Sequence, residues 1–394
     1  MVRTLSAAAP PPSPEELAPL FQPLTIRGLT IANRFVMSPM TRSFCREGVP
    51  GDDVVGYYER RVDGGTGLLV TEAIGTDHPA AVGDTGLGEE NLPLFDGPKT
   101  VAAWKKVVDA VHAKGGHIVP RLWHQGPMRM PTDGAPAFSP SGYYGDPATA
   151  AGYYVDKAQA ISAAPMPVPT DEEIADVVAG FGRAARDAVD AGFDGLAIHG
   201  AHGYLIDAFL WGETNRRAPP WGGNAVERTR FAVEVVKACR AAIGKERPLL
   251  FRFSQWKPQH FRAKLAETPQ ELEAILGPIG DAGVDLFDAS VRFFNTPAFP
   301  DHGDLSLAGW AKKLTGKLTG VVGGIGLLKG KYDTDDAISE ASNNLGLVLR
   351  RFEAGEFDIA SVGRAILQDP HWVNKARNGN PLPAFDPASV NVLT

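Results

Sequence analysis

The stretch F-D-G-L-A-I-H-G-A-H-G-Y-L-I-D-A-F-L, residues Phe193–Leu210, joins a short apolar run to a second apolar segment. The run that begins it fits a strand covered on both faces, because apolar side chains fill it with little alternation. Three polar side chains, those of His199, His202 and Tyr204, follow where this strand ends. Two imidazoles and a phenol this close in sequence can converge on one small ligand. The stretch therefore predicts a strand that carries a binding site at its carboxyl end.

Runs of the same kind recur along the chain and are separated by helical segments. The predicted strands are Arg34–Ser38, Gly67–Ala73, Gly116–Trp123, Phe193–His199, Pro248–Ser254, Val284–Ala289, Gly320–Gly324 and Phe357–Gly363. The predicted helices are Val54–Asp63, Pro98–Lys114, Thr170–Gly192, Val226–Ile243, Thr268–Asp281, Asp336–Glu353 and Trp372–Arg377, with a weaker signal at Leu307–Leu314. Eight strands, each followed by a helix, predict an α/β fold, the closed (β/α)8 TIM barrel. A doubly wound sheet is the structural alternative, although it usually has fewer strands in one layer.

Two segments lie outside this alternation of strands and helices. Residues 1–20 are rich in proline and predict a flexible tail, which leaves residues 21–394 as a single domain. Residues 126–169 are rich in Pro, Gly and Ser and contain Tyr143, Tyr144, Tyr153 and Tyr154. A connection this long without helix signals is usually a functional cap or lid. The sequence therefore predicts a long capping insertion after the third strand.

The composition restricts the class of protein and the kinds of partner. The 394 residues carry a formal net charge of -7, which argues against nucleic-acid binding through a basic surface. Cys45 and Cys239 are the only cysteines and have no metal-ligand spacing, so we expect neither a metal nor an iron–sulfur cluster. No run approaches the roughly 20 apolar residues of a membrane span, and the proline-rich start is unlike a signal peptide. We therefore expect a cytoplasmic protein, a monomer or homo-oligomer, with no membrane partner.

In a barrel of this type the chemistry lies at the carboxyl ends of the strands. Arg252 stands between two phenylalanines of the fifth strand, where a buried guanidinium requires an anionic or hydrogen-bonding partner. The sixth strand offers no polar side chain to which we assign a role. Strands seven and eight end in Gly323-Gly324 and Gly363-Arg364, and glycine backbone beside an arginine is typical of the phosphate site of this fold. The alternative is that these glycines only turn the chain.

His199 and His202 allow three interpretations. A metal site would require a third ligand, and Tyr204 is a poor one for zinc. Core histidines that bond to the backbone are common singly, but two followed by Gly203 and a tyrosine are less so. The third interpretation is a pair of hydrogen-bond donors that polarises a carbonyl or binds a phenolate. A tyrosine at its reference pKa of about 10 keeps its proton at neutral pH and could then protonate a carbanion or enolate.

Taken together, these motifs resemble the Old Yellow Enzyme family of FMN-dependent ene-reductases over nearly the whole chain after the tail. The motifs are F-Q-P-L-T-I-R-G-L-T-I-A-N-R-F-V-M-S-P-M-T-R (Phe21–Arg42), L-W-H-Q-G (Leu122–Gly126), H-G-A-H-G-Y-L-I-D-A-F-L (His199–Leu210), N-R-R-A-P-P-W-G-G-N-A-V-E-R (Asn215–Arg228), V-G-G-I (Val322–Ile325) and V-G-R-A-I-L-Q-D-P (Val362–Pro370). The element His-Gly-Ala-His-Gly-Tyr is the most specific of them.

The resemblance implies one non-covalent FMN at the mouth of a (β/α)8 barrel. By position, the flavin-binding residues would be Ser38, Pro39, Met40, Thr41, Ala73, Arg121, Arg252, Gly323, Gly324, Gly363 and Arg364. His199 and His202 would hydrogen-bond the substrate carbonyl, Trp123 would wall the pocket, and Tyr204 would protonate the α-carbon. The implied reaction is ping-pong: NADPH or NADH reduces the flavin, and an α,β-unsaturated ketone or aldehyde then accepts the hydride.

The chain departs from the family pattern at two places that bear on function. Arg121 stands where the family usually has a glutamine that contacts the flavin, and an extra cation there could raise the reduction potential or point elsewhere. The segment Asn215–Gly223 replaces a commoner acidic version and puts a local salt bridge in doubt. Two other functions stay open: an FMN dehydrogenase that forms a double bond, and a flavin-binding protein with a regulatory role. The first would use the same residues, whereas the intact Tyr204 and histidines weigh against the second.

Overall fold

Eight parallel strands close into one barrel in a computed structural model that describes residues 11–83, 90–129, 137–145, 166–329, 339–341, 343–383 and 385–394. The strands are β1 Phe35–Met37, β2 Leu68–Gly75, β3 Ile118–Trp123, β4 Leu196–His199, β5 Leu249–Ser254, β6 Leu286–Ser290, β7 Leu318–Val322 and β8 Ile359–Val362. Each strand pairs in parallel with the next, and β8 pairs with β1. The predicted (β/α)8 barrel is therefore confirmed, and the doubly wound alternative is wrong.

Helices cover the outside of the barrel. They are α1 Asp52–Asp63, α2 Pro98–Ala113, α3 Asp171–Asp190, α4 Arg230–Ile243, α5 Pro269–Asp281, α6 Leu307–Thr315, α7 Leu345–Glu353, α8 Arg364–Gln368 and α9 Trp372–Arg377. The start of α3 follows directly from sequence, because Thr170 and Glu173 form a capping box with bonds of 2.7 and 3.2 Å. The weaker prediction at Leu307–Leu314 corresponds to α6, whereas α8 was not predicted.

Two predicted segments differ from the structure. The helix predicted over Asp336–Glu353 begins only at Leu345, because Ser339–Ala341 pairs antiparallel with Leu327–Lys329 instead. The tail predicted to be flexible through residue 20 is wrong from Pro14 onward, where Ser13 caps the short helix Pro14–Leu17. Leu17 and Leu20 are buried in the core, so apolar burial holds this segment on the barrel. Residues 1–10 lie outside the described residues.

The lower end of the barrel is closed, and the upper end is left for function. An antiparallel hairpin, Leu24–Ile26 with Leu29–Ile31, buries Ile26 and Ile31 in one cluster with the inward-facing residues of the strands' amino ends. The connection between β3 and α3 contains a short helix, Gly126–Met128, and the described residues 137–145, which include Tyr143 and Tyr144. The other two tyrosines of the insertion lie outside the described residues. In the part of the chain that is described, no helix has the length and apolarity needed to cross a membrane.

Candidate active site at the barrel mouth

The inward side of the barrel changes from apolar to polar within two residues on several strands. Successive inward side chains lie two residues apart because side chains alternate between the faces of a strand. The apolar member and the polar member of each pair are Val119 and Arg121 on β3, Ala197 and His199 on β4, Leu250 and Arg252 on β5, and Leu286 and Asp288 on β6. All four apolar residues belong to the cluster that fills the lower barrel. The polar residues above them form the floor of the site.

Arg252 has its charge partner on the neighbouring strand. Its Nε donates to Asp288 Oδ2 at 2.7 Å, and its Nη2 lies 2.5 Å from the same oxygen. Nη2 also lies 3.3 Å from Ser38 Oγ at the end of β1. The expectation that the sixth strand carries no assignable polar group is therefore wrong, because Asp288 neutralises the buried guanidinium. The other carboxylate oxygen, Oδ1, is buried without a hydrogen-bond partner and remains able to accept one.

Arg121 is a buried cation without a carboxylate partner among the described residues. Its backbone N–H donates to Thr71 Oγ1 at 3.2 Å, whereas its side-chain Nε is buried without a partner. Burial, followed by the nearby charge of Arg252, lowers the pKa of Arg121 to about 9. The guanidinium therefore stays charged at neutral pH and is free to bind an acceptor.

His199, His202 and Tyr204 converge as the spacing predicts. The ring centre of His199 lies 5.1 Å from that of His202 and 5.2 Å from that of Tyr204. The Tyr204 ring meets the Trp123 ring edge-on at 4.9 Å and also packs near Ala73. Nδ1 of His199 is buried without a hydrogen-bond partner. The Nδ1 atom of His199 is thus available to a ligand that lies beside the Trp123 ring.

The two histidines are uncharged at neutral pH. Burial, followed by the charge of Arg121, lowers the pKa of His199 well below its ordinary value. Burial, followed by the charge of Arg252, does the same to the pKa of His202. A neutral imidazole donates one hydrogen bond and accepts one, so the pair can polarise a carbonyl without holding a proton for transfer.

His202 is held by two serines on neighbouring strands. Its Nε2 lies 2.7 Å from Ser290 Oγ on β6, and its backbone N–H donates to Ser254 Oγ on β5 at 3.0 Å. Its φ of 62° is in the left-handed region, which is uncommon for a residue with a side chain. The contacts to Ser254 and Ser290 therefore fix the orientation of the ring against an unfavourable backbone conformation.

A buried ion pair lies directly beneath the turn that carries these residues. Asp207 and Lys257 have fully buried side chains with Nζ 2.9 Å from Asp207 Oδ1. Oδ2 of Asp207 accepts the backbone N–H of Gly203 at 2.6 Å. This carboxylate thus links the turn between His202 and Tyr204 to the loop after β5.

The ends of β7 and β8 form an open pocket with about 520 Å³ of empty space. Its lining contains Gly323, Gly324, Gly363 and Arg364, together with Met40 from the end of β1. Gly323 has a φ of 144°, and a Cβ there would come 2.1 Å from the carbonyl oxygen of Val291. Only glycine fits at this position, so bare backbone faces the pocket.

The remaining predicted residues surround this floor. The backbone N–H of Ser38 bonds the Val362 carbonyl at 2.9 Å, which holds the end of β1 beside the pocket. Pro39 is buried and Thr41 is half-buried. Ala73 is buried at the register break between β2 and β3, opposite Arg121. The structure thus brings the predicted residues to one end of the barrel.

Sequence reasoning missed three groups at this end. Asp288 and Ser290 lie two and four residues beyond an apolar inward residue of β6, so strand alternation could have revealed them. Trp256 packs its ring 4.4 Å from the His202 ring, and nothing in its local sequence predicts that contact. The Asp207–Lys257 pair likewise joins two distant segments. Within the described residues, no group of three His, Cys, Asp or Glu side chains could hold a metal ion.

Comparison with known proteins gives consistent matches over the length of the chain. The profile of the NADH:flavin oxidoreductase / NADH oxidase family matches residues 19–382. Chanoclavine-I aldehyde reductase of Penicillium roqueforti is 34% identical over 385 residues, which cover 95% of this chain and 93% of that protein. A 12-oxophytodienoate reductase of Oryza sativa is 31% identical, with 93% and 90% covered.

Solved structures give the same result. Morphinone reductase in complex with tetrahydroNAD has a TM-score of 0.74 at 26% identity, with 94% of this chain and 93% of that chain covered. The Old Yellow Enzyme homologue from Zymomonas mobilis has a TM-score of 0.73 at 25% identity, with 97% of each chain covered. Both the sequence family and the fold are therefore shared over nearly all residues.

Proposed function

Because the chain belongs to the NADH:flavin oxidoreductase / NADH oxidase family, and is an FMN-dependent oxidoreductase that takes electrons from NAD(P)H, we propose that it reduces the activated C=C bond of α,β-unsaturated ketones and aldehydes. The observation that carries this proposal is the convergence of neutral His199 and His202 with Tyr204. Two relatives are named as reductases of 12-oxophytodienoate and of chanoclavine-I aldehyde, which supports a carbonyl-bearing substrate.

The residues at the barrel mouth fit FMN. The bare backbone at Gly323 and the side chain of Arg364 suit a phosphate group, because close N–H groups and a guanidinium bind oxyanions. The unpartnered Arg121 Nε and Asp288 Oδ1 suit the polar edge of a ring that both donates and accepts hydrogen bonds. Ser38, Pro39, Met40, Thr41 and Ala73 would line the ring. When bound, FMN supplies the hydride.

In this proposal His199 and His202 bind the carbonyl oxygen of the substrate. Two neutral imidazoles would stabilise, by hydrogen bonding, the negative charge that develops on that oxygen. The Ser290 hydroxyl holds one ring nitrogen of His202, so the ring keeps one orientation during turnover. Trp123 forms the wall against which an unsaturated substrate would stack.

Tyr204 would give its proton to the α-carbon. Its ring is bracketed by His199 and Trp123, which places the phenol at the same side of the pocket as the imidazoles. A proton donor on the substrate side complements a hydride donor on the flavin side, because addition across a double bond requires both.

The enzyme's partners are small molecules, and we propose the cytoplasm as its location. Cys45 and Cys239 are both buried free thiols, as expected for a reducing compartment. Burial, together with the carboxylate of Glu72, raises the pKa of Cys45, so this thiol is unsuited to redox chemistry.

Anaerobic flavin spectroscopy tests the proposal. The purified protein should be yellow, should lose its flavin absorbance on addition of NADH or NADPH, and should regain it on addition of 2-cyclohexenone. If NADH or NADPH reduces the flavin but neither the enone nor an unsaturated aldehyde such as cinnamaldehyde reoxidises it, the proposed substrate class is contradicted.

A further inference from the structure

Arg292 is a cation at the barrel mouth that has no counter-ion in the part of the chain that the structure describes. It lies two residues after the end of β6 and is half-buried. Its Cζ lies 4.0 Å from the ring centre of Phe261 and 5.7 Å from that of Trp256. Its Nε is buried without a hydrogen-bond partner, and no carboxylate of the described residues lies within ion-pair distance. Two aromatic faces thus orient a guanidinium whose donors remain available.

The position of Arg292 connects it to the substrate side of the site. Trp256, one of the two rings beside the guanidinium, also packs against the His202 ring at an interplanar angle of 33°. Ser290, on the same strand end as Arg292, bonds Nε2 of that histidine. The Trp256 ring thus lies between the guanidinium of Arg292 and a proposed substrate-binding histidine.

Three other cations of this part of the barrel have partners or lie deeper. Arg252 is paired with Asp288, and Lys257 is paired with Asp207. Arg121 lies on the floor, where the proposed flavin would meet it. An unpaired guanidinium that is half-buried carries a desolvation cost, which an oxyanion would offset through two parallel hydrogen bonds.

We propose that Arg292, held by Phe261 and Trp256, is a binding subsite for an oxyanion on the small molecule that binds at His199 and His202. The shared chemistry is a carboxylate or phosphate, and two sources can present it: a carboxylate on the unsaturated substrate, or the 2′-phosphate of NADPH. The inference rests on the proposed function, because reductant and enone occupy this pocket in turn.

A matched set of three substrates tests the first source. Cinnamaldehyde and its para- and meta-carboxylated analogues differ only in the added anion. In Arg292→Gln the KM of at least one carboxylated aldehyde should rise about tenfold, which corresponds to losing one charge-assisted contact, with kcat little changed. The KM of cinnamaldehyde should change less than about twofold in the same variant. Arg292→Lys keeps the positive charge but loses the planar guanidinium, so its KM for that aldehyde should lie between the values of the wild type and of Arg292→Gln.

The reductive half-reaction tests the second source. Rapid-mixing measurements give the apparent Kd of NADPH and of NADH for flavin reduction, and a phosphate contact would weaken only NADPH binding in Arg292→Gln. Arg186→Gln, on the exposed side of α3, removes one positive charge at a distance and should change none of these constants.

The outcomes separate the two proposals. A wild-type enzyme that fails to reduce cinnamaldehyde contradicts the proposed function. The subsite is overturned if the wild type reduces cinnamaldehyde but Arg292→Gln changes neither the KM of a carboxylated aldehyde more than that of cinnamaldehyde nor the Kd of NADPH more than that of NADH. Should that variant lose its flavin, the salt dependence of the wild type decides. The KM of a carboxylated aldehyde must rise more steeply with ionic strength than the KM of cinnamaldehyde, or the Kd of NADPH more steeply than the Kd of NADH, which carries the diphosphate charge without the 2′-phosphate. Absence of that difference overturns the subsite as well.

Discussion

Tyr204 is the residue at which the proposed chemistry can be separated into its two halves. Its phenol is the only group in the triad with His199 and His202 that would move a proton to carbon. Tyr204→Phe should therefore slow the reoxidation of reduced flavin by 2-cyclohexenone by about 10²- to 10⁴-fold, the usual contribution of a positioned general acid. Flavin reduction by NADPH should change little, because that step requires no proton donor at this position.

Rapid-mixing measurements of both half-reactions check this prediction. If Tyr204→Phe slowed flavin reduction and flavin reoxidation equally, Tyr204 would support the pocket without acting as the proton donor. Unchanged reoxidation would remove it from the chemistry.

Gly323 supplies a second prediction for single residues. Gly323→Ala should weaken FMN binding at least tenfold, since the new Cβ would come 2.1 Å from the Val291 carbonyl oxygen and φ is 144°. Titration of apoprotein with FMN and with riboflavin, which lacks the phosphate, measures the effect. In Gly323→Ala the affinity for FMN should exceed the affinity for riboflavin by a smaller factor than in the wild type.

Gly277→Ala in α5 is the matched control, because a Cβ there meets no atom within 4 Å and alanine favours a helix. We expect its flavin affinities to equal those of the wild type. A Gly323→Ala protein that binds FMN normally would exclude this loop from the phosphate site.

At the level of elements, the pair Asp207–Lys257 ties the short helix Leu205–Leu210 to the loop after β5. Lys257→Met leaves the Asp207 carboxylate buried and unpaired, and should lower the free energy of unfolding by about 3 to 5 kcal/mol. Asp207→Asn with Lys257→Met should cost less than Lys257→Met alone, because no uncompensated charge remains. Urea denaturation of the single and double variants measures the coupling.

The same pair also positions the turn at Gly203, through the bond to Asp207 Oδ2. The double variant should fold and retain FMN, and its KM for enones should rise because the contact between Asp207 and Lys257 no longer holds this turn against the loop after β5. If the double variant lost as much free energy of unfolding as the two single variants together, the two residues would not be coupled.

For the whole molecule, the buried histidines predict how stability depends on pH. The pKa values of His199 and His202 are lowered in the folded state, so below pH 6.5 the unfolded chain binds protons that the folded chain does not. Their contribution to stability is complete above pH 6.5 and declines as the pH falls toward the folded pKa values. Each contributes a slope of up to about 1.4 kcal/mol per pH unit.

Urea denaturation between pH 5 and 7.5 tests this dependence. Replacing His199 with glutamine should flatten the slope below pH 6.5, whereas His302→Gln at an exposed position should leave it unchanged. An unchanged slope in the His199 variant would mean that this imidazole is charged in the folded protein.

Local patterns explain why so much of the fold could be predicted. The eight strands and the outer helices follow from apolar runs and periodicity, and the box at Thr170 marks the start of α3 within one residue. The errors occur where tertiary contacts override local preference. Ser339–Ala341 pairs with a strand instead of extending a helix, and Leu17 and Leu20 are anchored by burial in a segment whose prolines predict flexibility.

The sequence by itself determined the barrel and the convergence of His199, His202 and Tyr204, because strand periodicity and short-range spacing are properties of neighbouring residues. Only the tertiary structure decided which charges meet. Arg252 bonds Asp288 across 36 positions because the register of β5 and β6 places the two residues opposite each other. Lys257 bonds Asp207 across 50 positions because the fold brings the loop after β5 against the short helix Leu205–Leu210. The fold also leaves Arg292 beside two aromatic rings, without a carboxylate partner among the described residues. Which cation is neutralised and which remains available for a ligand is therefore a consequence of closing the barrel.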